Sequence, residues 1–201
     1  VRVGGFGGIG GLADYLSQES IGLVVDATHP FSAIISDHAN AAAEATGVPR
    51  LQLLRPLWQL PPTAEWIEVD DLTDAARDLP RFAKRVFLTT GVRGLEAFSG
   101  LDDIWFLVRL MDPPAEPPPL AQLELITGKP PYSFEDERAI LADHNIDTLV
   151  TKNSGGDGTE AKVFAAAEAG VKIILIRRPP PEPGPVVETV DDAFAWIESQ
   201  V

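Results

Sequence analysis

The chain has 201 residues, 45% apolar and 23% charged, enough for one large α/β domain or two small ones without covalent staples. It contains no cysteine, which excludes disulfides, thiolate nucleophiles, zinc ribbons and iron–sulfur ligation. Thirty acids against sixteen bases give a net charge of −14, which opposes nucleic acid or an anionic membrane surface as a partner.

In chain order, the sequence predicts a helix over Gly10–Gln18, a strand over Leu23–Asp26, a helix over Ser32–Thr46 and a strand over Leu51–Leu54. A helix over Leu72–Leu79 follows, then strands over Arg85–Thr89, Ile104–Val108 and Leu123–Ile126. The C-terminal part reads as a helix over Phe134–His144, a strand over Thr148–Thr151, a helix over Thr159–Ala169, a strand over Val171–Ile176 and a helix over Asp191–Ser199. Strands alternating with helices predict a mainly parallel sheet, and the continuous apolar runs predict strands covered on both faces. Ser133 with Asp136, and Thr189 with Asp192, have the S/T-x-x-D spacing of a helix start. Gly47 and Gly170 fall where helices end.

Proline marks the surface connections, with seven among the nineteen residues from Pro113 to Pro131 and five among the seven from Pro179 to Pro185. A fresh strand–turn–helix unit after Pro80–Lys84 predicts a boundary there, dividing an N-terminal lobe of residues 1–82 from a C-terminal lobe of residues 83–201. Two such lobes would form a cleft at the carboxyl ends of their strands. No apolar run reaches the ~20 residues of a membrane helix, and no basic-then-apolar leader is present, so the expected compartment is the cytoplasm.

Four stretches carry candidate chemistry. Gly5-Phe6-Gly7-Gly8-Ile9-Gly10 matches G-x-G-x-x-G, with Asp26 placed where a ribose-binding carboxylate would sit. Only Val1-Arg2-Val3 precedes it as strand, and a glycine-rich connection explains the same letters. Asp26-Ala27-Thr28-His29-Pro30-Phe31-Ser32 leaves a strand and enters a helix, where backbone N–H groups can receive an anion; Ser32 as a simple cap is the competing reading. Leu88-Thr89-Thr90-Gly91-Val92-Arg93-Gly94-Leu95 repeats that pattern, with a cation on what reads as a first helical turn. Thr151-Lys152-Asn153-Ser154-Gly155-Gly156 presents polar groups, a lysine and two glycines at a strand end, suited to a phosphate or carboxylate. Arg177 and Arg178 end the last strand, and alternation allows at most one to face a given site. His38 and His144 read as surface or cap residues, and no metal-ligand spacing occurs.

Taken in order, the aspartate-to-serine stretch with Arg55-Pro56-Leu57-Trp58, then Leu88-Thr89-Thr90-Gly91, then Val150 to Gly156, and Arg177-Arg178-Pro179 resemble the precorrin-6A (precorrin-6x) reductase family of cobalamin biosynthesis over almost the whole chain. The resemblance implies two Rossmann-like lobes and an NADPH-dependent reductase. It implies hydride transfer to one double bond of precorrin-6A, a corrin precursor bearing several carboxylates, to give precorrin-6B. The family's opening strand and Gly-Gly-Thr turn would lie upstream of Gly4-Gly5-Phe6-Gly7-Gly8, so these residues lack them and the G-x-G-x-x-G match becomes a connecting loop.

On this reading Thr28, His29, Pro30, Thr90, Gly91 and Arg93 are the expected contacts of the nicotinamide nucleotide. Arg55, Lys152, Asn153, Ser154, Gly155 and Arg177 are expected to hold the polycarboxylate, with Arg93, Arg109, Lys129 and Arg178 as further cations. His29 and Lys152 are the catalytic candidates, His29 because a histidine's ordinary pKa suits proton transfer near neutrality. The alternatives are a cobalt-precorrin-6A reductase using NADH and a non-catalytic tetrapyrrole- or nucleotide-binding module.

Overall fold

Alternating apolar runs and amphipathic stretches become helices and parallel strands in the computed structural model, which describes residues 2–200. Two compact units result, one of Val1–Pro56 with Pro179–Val201 and the other of Leu57–Arg178.

The first unit contains α1 (Gly8–Gln18), β1 (Val24–Asp26), α2 (Ala33–Thr46), β2 (Arg50–Leu53), β9 (Val186–Val187) and α6 (Val190–Ser199). Its strands form a parallel sheet in the order β1-β2-β9. Leu12 and Leu16, one helical turn apart on α1, bury against Ala39 and Ala42 of α2, with Phe6, Ile21 and Val24 packed around them. The G-x-G-x-x-G segment runs directly into α1 and follows no strand among the described residues, so it is a connection. Thr189 Oγ1 accepts the Asp192 N–H at the start of α6, as its spacing predicts.

The second unit contains β3 (Trp66–Val69), α3 (Leu72–Asp78), β4 (Arg85–Leu88), β5 (Trp105–Leu110), β6 (Leu123–Thr127), α4 (Phe134–Asp143), β7 (Thr148–Lys152), α5 (Ala161–Glu168) and β8 (Lys172–Ile176). Its six-stranded sheet has the order β3-β8-β7-β4-β5-β6, with every ladder parallel. Phe87, Leu107, Leu149 and Ile173 share one face and bury against Leu141 of α4 and Val163, Ala165 and Ala166 of α5. The alternate residues Val86, Leu88, Phe106 and Val108 are buried as well, with Phe98 5.8 Å from Phe106, ring to ring. The central strands are therefore covered on both faces, which is why they read as unbroken apolar runs. Ser133 caps α4 through the Asp136 N–H.

The boundary expected between residues 82 and 83 is corrected at both ends. Residues 57–82 belong with the second unit, because β3 pairs with β8 in the register Trp66↔Ile173 to Val69↔Ile176. Residues 179–201 return to the first, because Gln52↔Val186 and Leu53↔Val187 join β9 to β2. The proline-rich connection is fastened there. Arg50 donates to Pro183 O at 3.0 Å, and Gln52 Oε1 accepts the Glu182 N–H. Neither β3 nor β9 is among the predicted strands. Among the described residues, no helix is long and apolar enough to cross a membrane.

Candidate active site

In the second unit the chain runs from β4 to β5 in one direction across the sheet, and from β7 to β8 in the other. The carboxyl ends of the adjacent pair β4 and β7 are thus a topological switch point, where open α/β sheets bind ligands. Two of the predicted loops leave from these strand ends. The Thr89 N–H donates to Val150 O at 3.0 Å, which holds the loops side by side beyond the regular ladder.

Thr90, Thr151 and Asn153 are buried here, and among the described residues Thr90 Oγ1, Thr151 Oγ1 and Asn153 Oδ1 have no hydrogen-bond partner. Each such group costs about 1–3 kcal/mol when left unmatched, so each is suited to a polar partner that the protein itself does not supply. Lys152 is half-buried, and burial, reinforced by the Arg93 guanidinium, lowers its pKa from the ordinary lysine value. Sequence reading thus placed Thr90, Gly91, Arg93, Lys152, Asn153, Ser154 and Gly155 in two loops, and the β4–β7 pairing brings those loops together. Thr151 opens the motif Thr151–Gly156 and was not named among its ligand contacts, yet its buried hydroxyl is one of the unmatched atoms.

Gly91 has φ +85, and a Cβ there would meet no protein atom within 4 Å. The turn therefore needs glycine for its backbone and leaves open space where a side chain would stand. The loop after β7 is fastened differently. The Asn153 N–H continues the β7–β8 ladder to Ile176 O, and the Ser154 N–H closes on Lys152 O at 2.7 Å. Gly155 and Gly156 follow with φ of +65 and +74.

Several expectations change. Arg177 is exposed and donates to Glu68 and Asp70, so it is turned away from the loop. Arg178 is the one that reaches it, donating to Asn153 O and Ser154 O. No α-helix follows Arg93; the segment enters a single 3-10 turn, Leu95–Phe98, so the helix-dipole argument for Arg93 lapses. Arg109 is buried against Glu137 at 2.8 Å and under the Tyr132 ring, and exposed Lys129 pairs with Asp112 at 3.0 Å. His144 ends α4 and stacks on Trp105, as a cap residue should.

In the first unit, β1 ends at Asp26. Its Oδ1 accepts both the N–H and the hydroxyl of Thr28, at 3.1 and 2.7 Å. Its Oδ2 faces Arg50 at 3.7 Å, with both side chains buried, so Asp26 braces the turn through Oδ1 and an ion pair while Oδ2 has no hydrogen-bond partner among the described residues. The Ser32 side chain makes no cap hydrogen bond. His29 is exposed, and its Nδ1 accepts the Phe31 N–H at 3.2 Å, which places the proton of a neutral ring on Nε2. Pro30 is buried, and Arg55 is exposed beyond the end of β2. Among the described residues, no cluster of histidines and acids could hold a metal ion.

A family model described as precorrin-6x reductase CbiJ/CobK matches residues 1–198. The chain belongs to the precorrin-6x reductase family. It is thereby an oxidoreductase of cobalamin biosynthesis. A precorrin-6A reductase of Rhodococcus erythropolis is 46% identical over 98% of this chain and 79% of its own length. A cobalt-precorrin-6A reductase of Synechocystis is 34% identical over 87% of this chain and 70% of its own. Among solved structures, a CobK precorrin-6A reductase superposes with a TM-score of 0.94 at 38% identity, covering 99% of this chain and 79% of that one. The similarity runs through both units, so the Rossmann-like character of the family applies to this chain's parallel sheets.

Proposed function

We propose that the chain is an NADPH-dependent precorrin-6A reductase that forms precorrin-6B by adding hydride to one double bond of the corrin precursor. The observation that carries this reading is the β4–β7 switch point, with half-buried Lys152 beside Arg93 and three buried polar atoms unmatched. Lys152 and Arg93 concentrate positive charge at one strand end, and a charge-assisted hydrogen bond from either to a carboxylate contributes about 1.5–3 kcal/mol. Lys152, Asn153, Ser154 and Gly155 are the proposed contacts of a substrate carboxylate, and Arg55 is a further proposed contact on the first unit. Local cations are required because a protein of net charge −14 repels a polycarboxylate at long range.

For the nicotinamide nucleotide, the open space at Gly91 and the unmatched Thr90 hydroxyl support a contact along the Thr90–Arg93 turn. Thr28, His29 and Pro30 are the proposed contacts on the first unit. When bound, the reduced nicotinamide supplies the hydride. The protein's part is to orient the reactants and to supply the proton that a reduced double bond also needs. His29 is assigned that proton on its Nε2, because Nδ1 is taken by the Phe31 N–H. The proposed compartment is the cytoplasm.

The 34% identity to a cobalt-precorrin-6A reductase favours, as a second reading, a cobalt-loaded substrate reduced with NADH. Metal-free and cobalt-loaded precorrin-6A, each supplied with NADPH and with NADH, separate the two by loss of the reduced-nicotinamide absorbance. Fastest turnover is expected for metal-free substrate with NADPH. Turnover confined to the cobalt compound with NADH would replace the first reading by the second, and binding without turnover would leave a tetrapyrrole- or nucleotide-binding module.

A further inference from the structure

The loop after β7 is held from behind by two side chains distant in sequence. Arg178, at the end of β8, donates to Ser154 O at 2.8 Å and to Asn153 O at 3.3 Å. Trp58, in the segment before β3, donates its indole N–H to Gly156 O at 2.8 Å. The Trp58 ring is buried, with Lys162 Nζ of α5 lying 5.1 Å from its centroid. Three carbonyls of this loop, those of residues 153, 154 and 156, are therefore occupied by donors from outside it. Meanwhile the N–H groups of Gly155 and Gly156 have no protein acceptor among the described residues. A carbonyl fixed in one direction fixes the N–H of the next residue in the opposite one, because the two share one planar peptide unit. Carbonyls tied by Arg178 and Trp58 therefore set the direction of the Gly155 N–H and of the peptide that follows Gly156.

The geometry points to Trp58 and Arg178 as positioning residues, which restrain the Asn153–Asp157 backbone so that the Gly155 N–H and Lys152 meet one substrate carboxylate together. Neither touches the ligand. Each acts through the loop it restrains, and the inference rests on that loop being the proposed substrate contact. Tryptophan suits the brace because its apolar body fills space under Lys162 while its single N–H is spent on a backbone carbonyl. Arginine suits the other because a rigid fork can reach two adjacent carbonyls at once.

The test uses Trp58→Phe, which keeps an aromatic ring near Lys162 and removes the indole donor along with part of the ring volume, with Lys152→Ala measured alongside. Two readouts are taken on the full chain: KM for precorrin-6A and for NADPH separately, and hydrogen exchange of amides 153–158. The expected result for Trp58→Phe is a precorrin-6A KM raised at least fivefold and a kcat within twofold. NADPH KM should stay nearly constant, Tm should fall modestly from the lost core volume, and the accelerated exchange, at least tenfold, should be confined to the loop. Faster exchange with an unchanged precorrin-6A KM would make Trp58 a structural brace only and overturn the inference, as would no change in either readout. If Lys152→Ala itself leaves the precorrin-6A KM unchanged, the loop is not the substrate contact and the underlying reading fails. If Lys152→Ala raises it and Trp58→Phe does not, only the positioning role fails. Should Trp58→Phe not fold, Arg178→Met carries the same two readouts, with the same expected and overturning results.

Discussion

Replacing Lys162 by methionine tests the electrostatics of the second unit's interior. Lys162 is 5% exposed on α5, close to the Arg109–Glu137 pair and against the Trp58 ring. Burial, helped by Arg109 and opposed by Glu137, lowers its pKa from 10.5 to about 7. Between those two values the unfolded chain keeps a proton on this amine that the folded chain has released, so stability rises with pH across the window. Each pH unit well inside it contributes about 1.4 kcal/mol. From pH 7 to pH 9 the gain is about 2 kcal/mol, less than two full units because at pH 7 the folded group is still half protonated. Methionine has similar length and no proton, so the variant lacks this component. Urea unfolding of both proteins at pH 7, 8 and 9 should show wild-type stability, relative to Lys162→Met, rising by about 2 kcal/mol over the series. Below pH 6 the difference should level off, since both states then hold the proton. A difference constant to within about 0.5 kcal/mol from pH 7 to 9 would refute the argument, because it would mean that the folded amine titrates where the unfolded one does.

Lys152→Ala should lower kcat/KM for precorrin-6A at least tenfold with Tm nearly unchanged, and wild-type KM should rise with salt as the carboxylate contact is screened; a normal kcat/KM removes Lys152 from the site. At Gly91, φ +85 makes any side chain cost about 1–2 kcal/mol of stability, yet a Cβ meets no protein atom. Gly91→Val should therefore raise the NADPH KM beyond what its stability loss explains, and an unchanged KM in the folded variant would move the nucleotide elsewhere. His29→Ala should reduce kcat about a hundredfold if Nε2 delivers the proton; a reduction under about threefold demotes it to a binding residue. Arg177→Ala should leave kcat/KM within twofold, since its partners are Glu68 and Asp70, and a tenfold loss would contradict its placement away from the loop.

What the sequence determined by itself were the features set by neighbouring residues. Continuous apolar runs marked β4, β5, β7 and β8, because strands covered on both faces need apolar side chains in both directions. Ser133 and Thr189 marked the starts of α4 and α6, because a cap spans only three residues. The loops bearing Thr90 and Lys152 were visible for the same reason, each directly following a strand. Tertiary structure alone decided which strands are neighbours. β4 beside β7 joins two loops some sixty positions apart, and that pairing turns two unremarkable turns into one site. β3 is a four-residue edge strand, Trp66-Ile67-Glu68-Val69, too short to stand out as a buried run, and its ladder with β8 is what defines it. β9 is two residues long and exists only through its hydrogen bonds to β2, which is why residues 179–201 return to the first unit. Alternation allowed one of Arg177 and Arg178 to face the loop, but the choice fell to Glu68 and Asp70, acids more than a hundred residues away that claim Arg177. Local periodicity fixes what an element is, whereas hydrogen bonds and charges between distant segments fix what stands beside it.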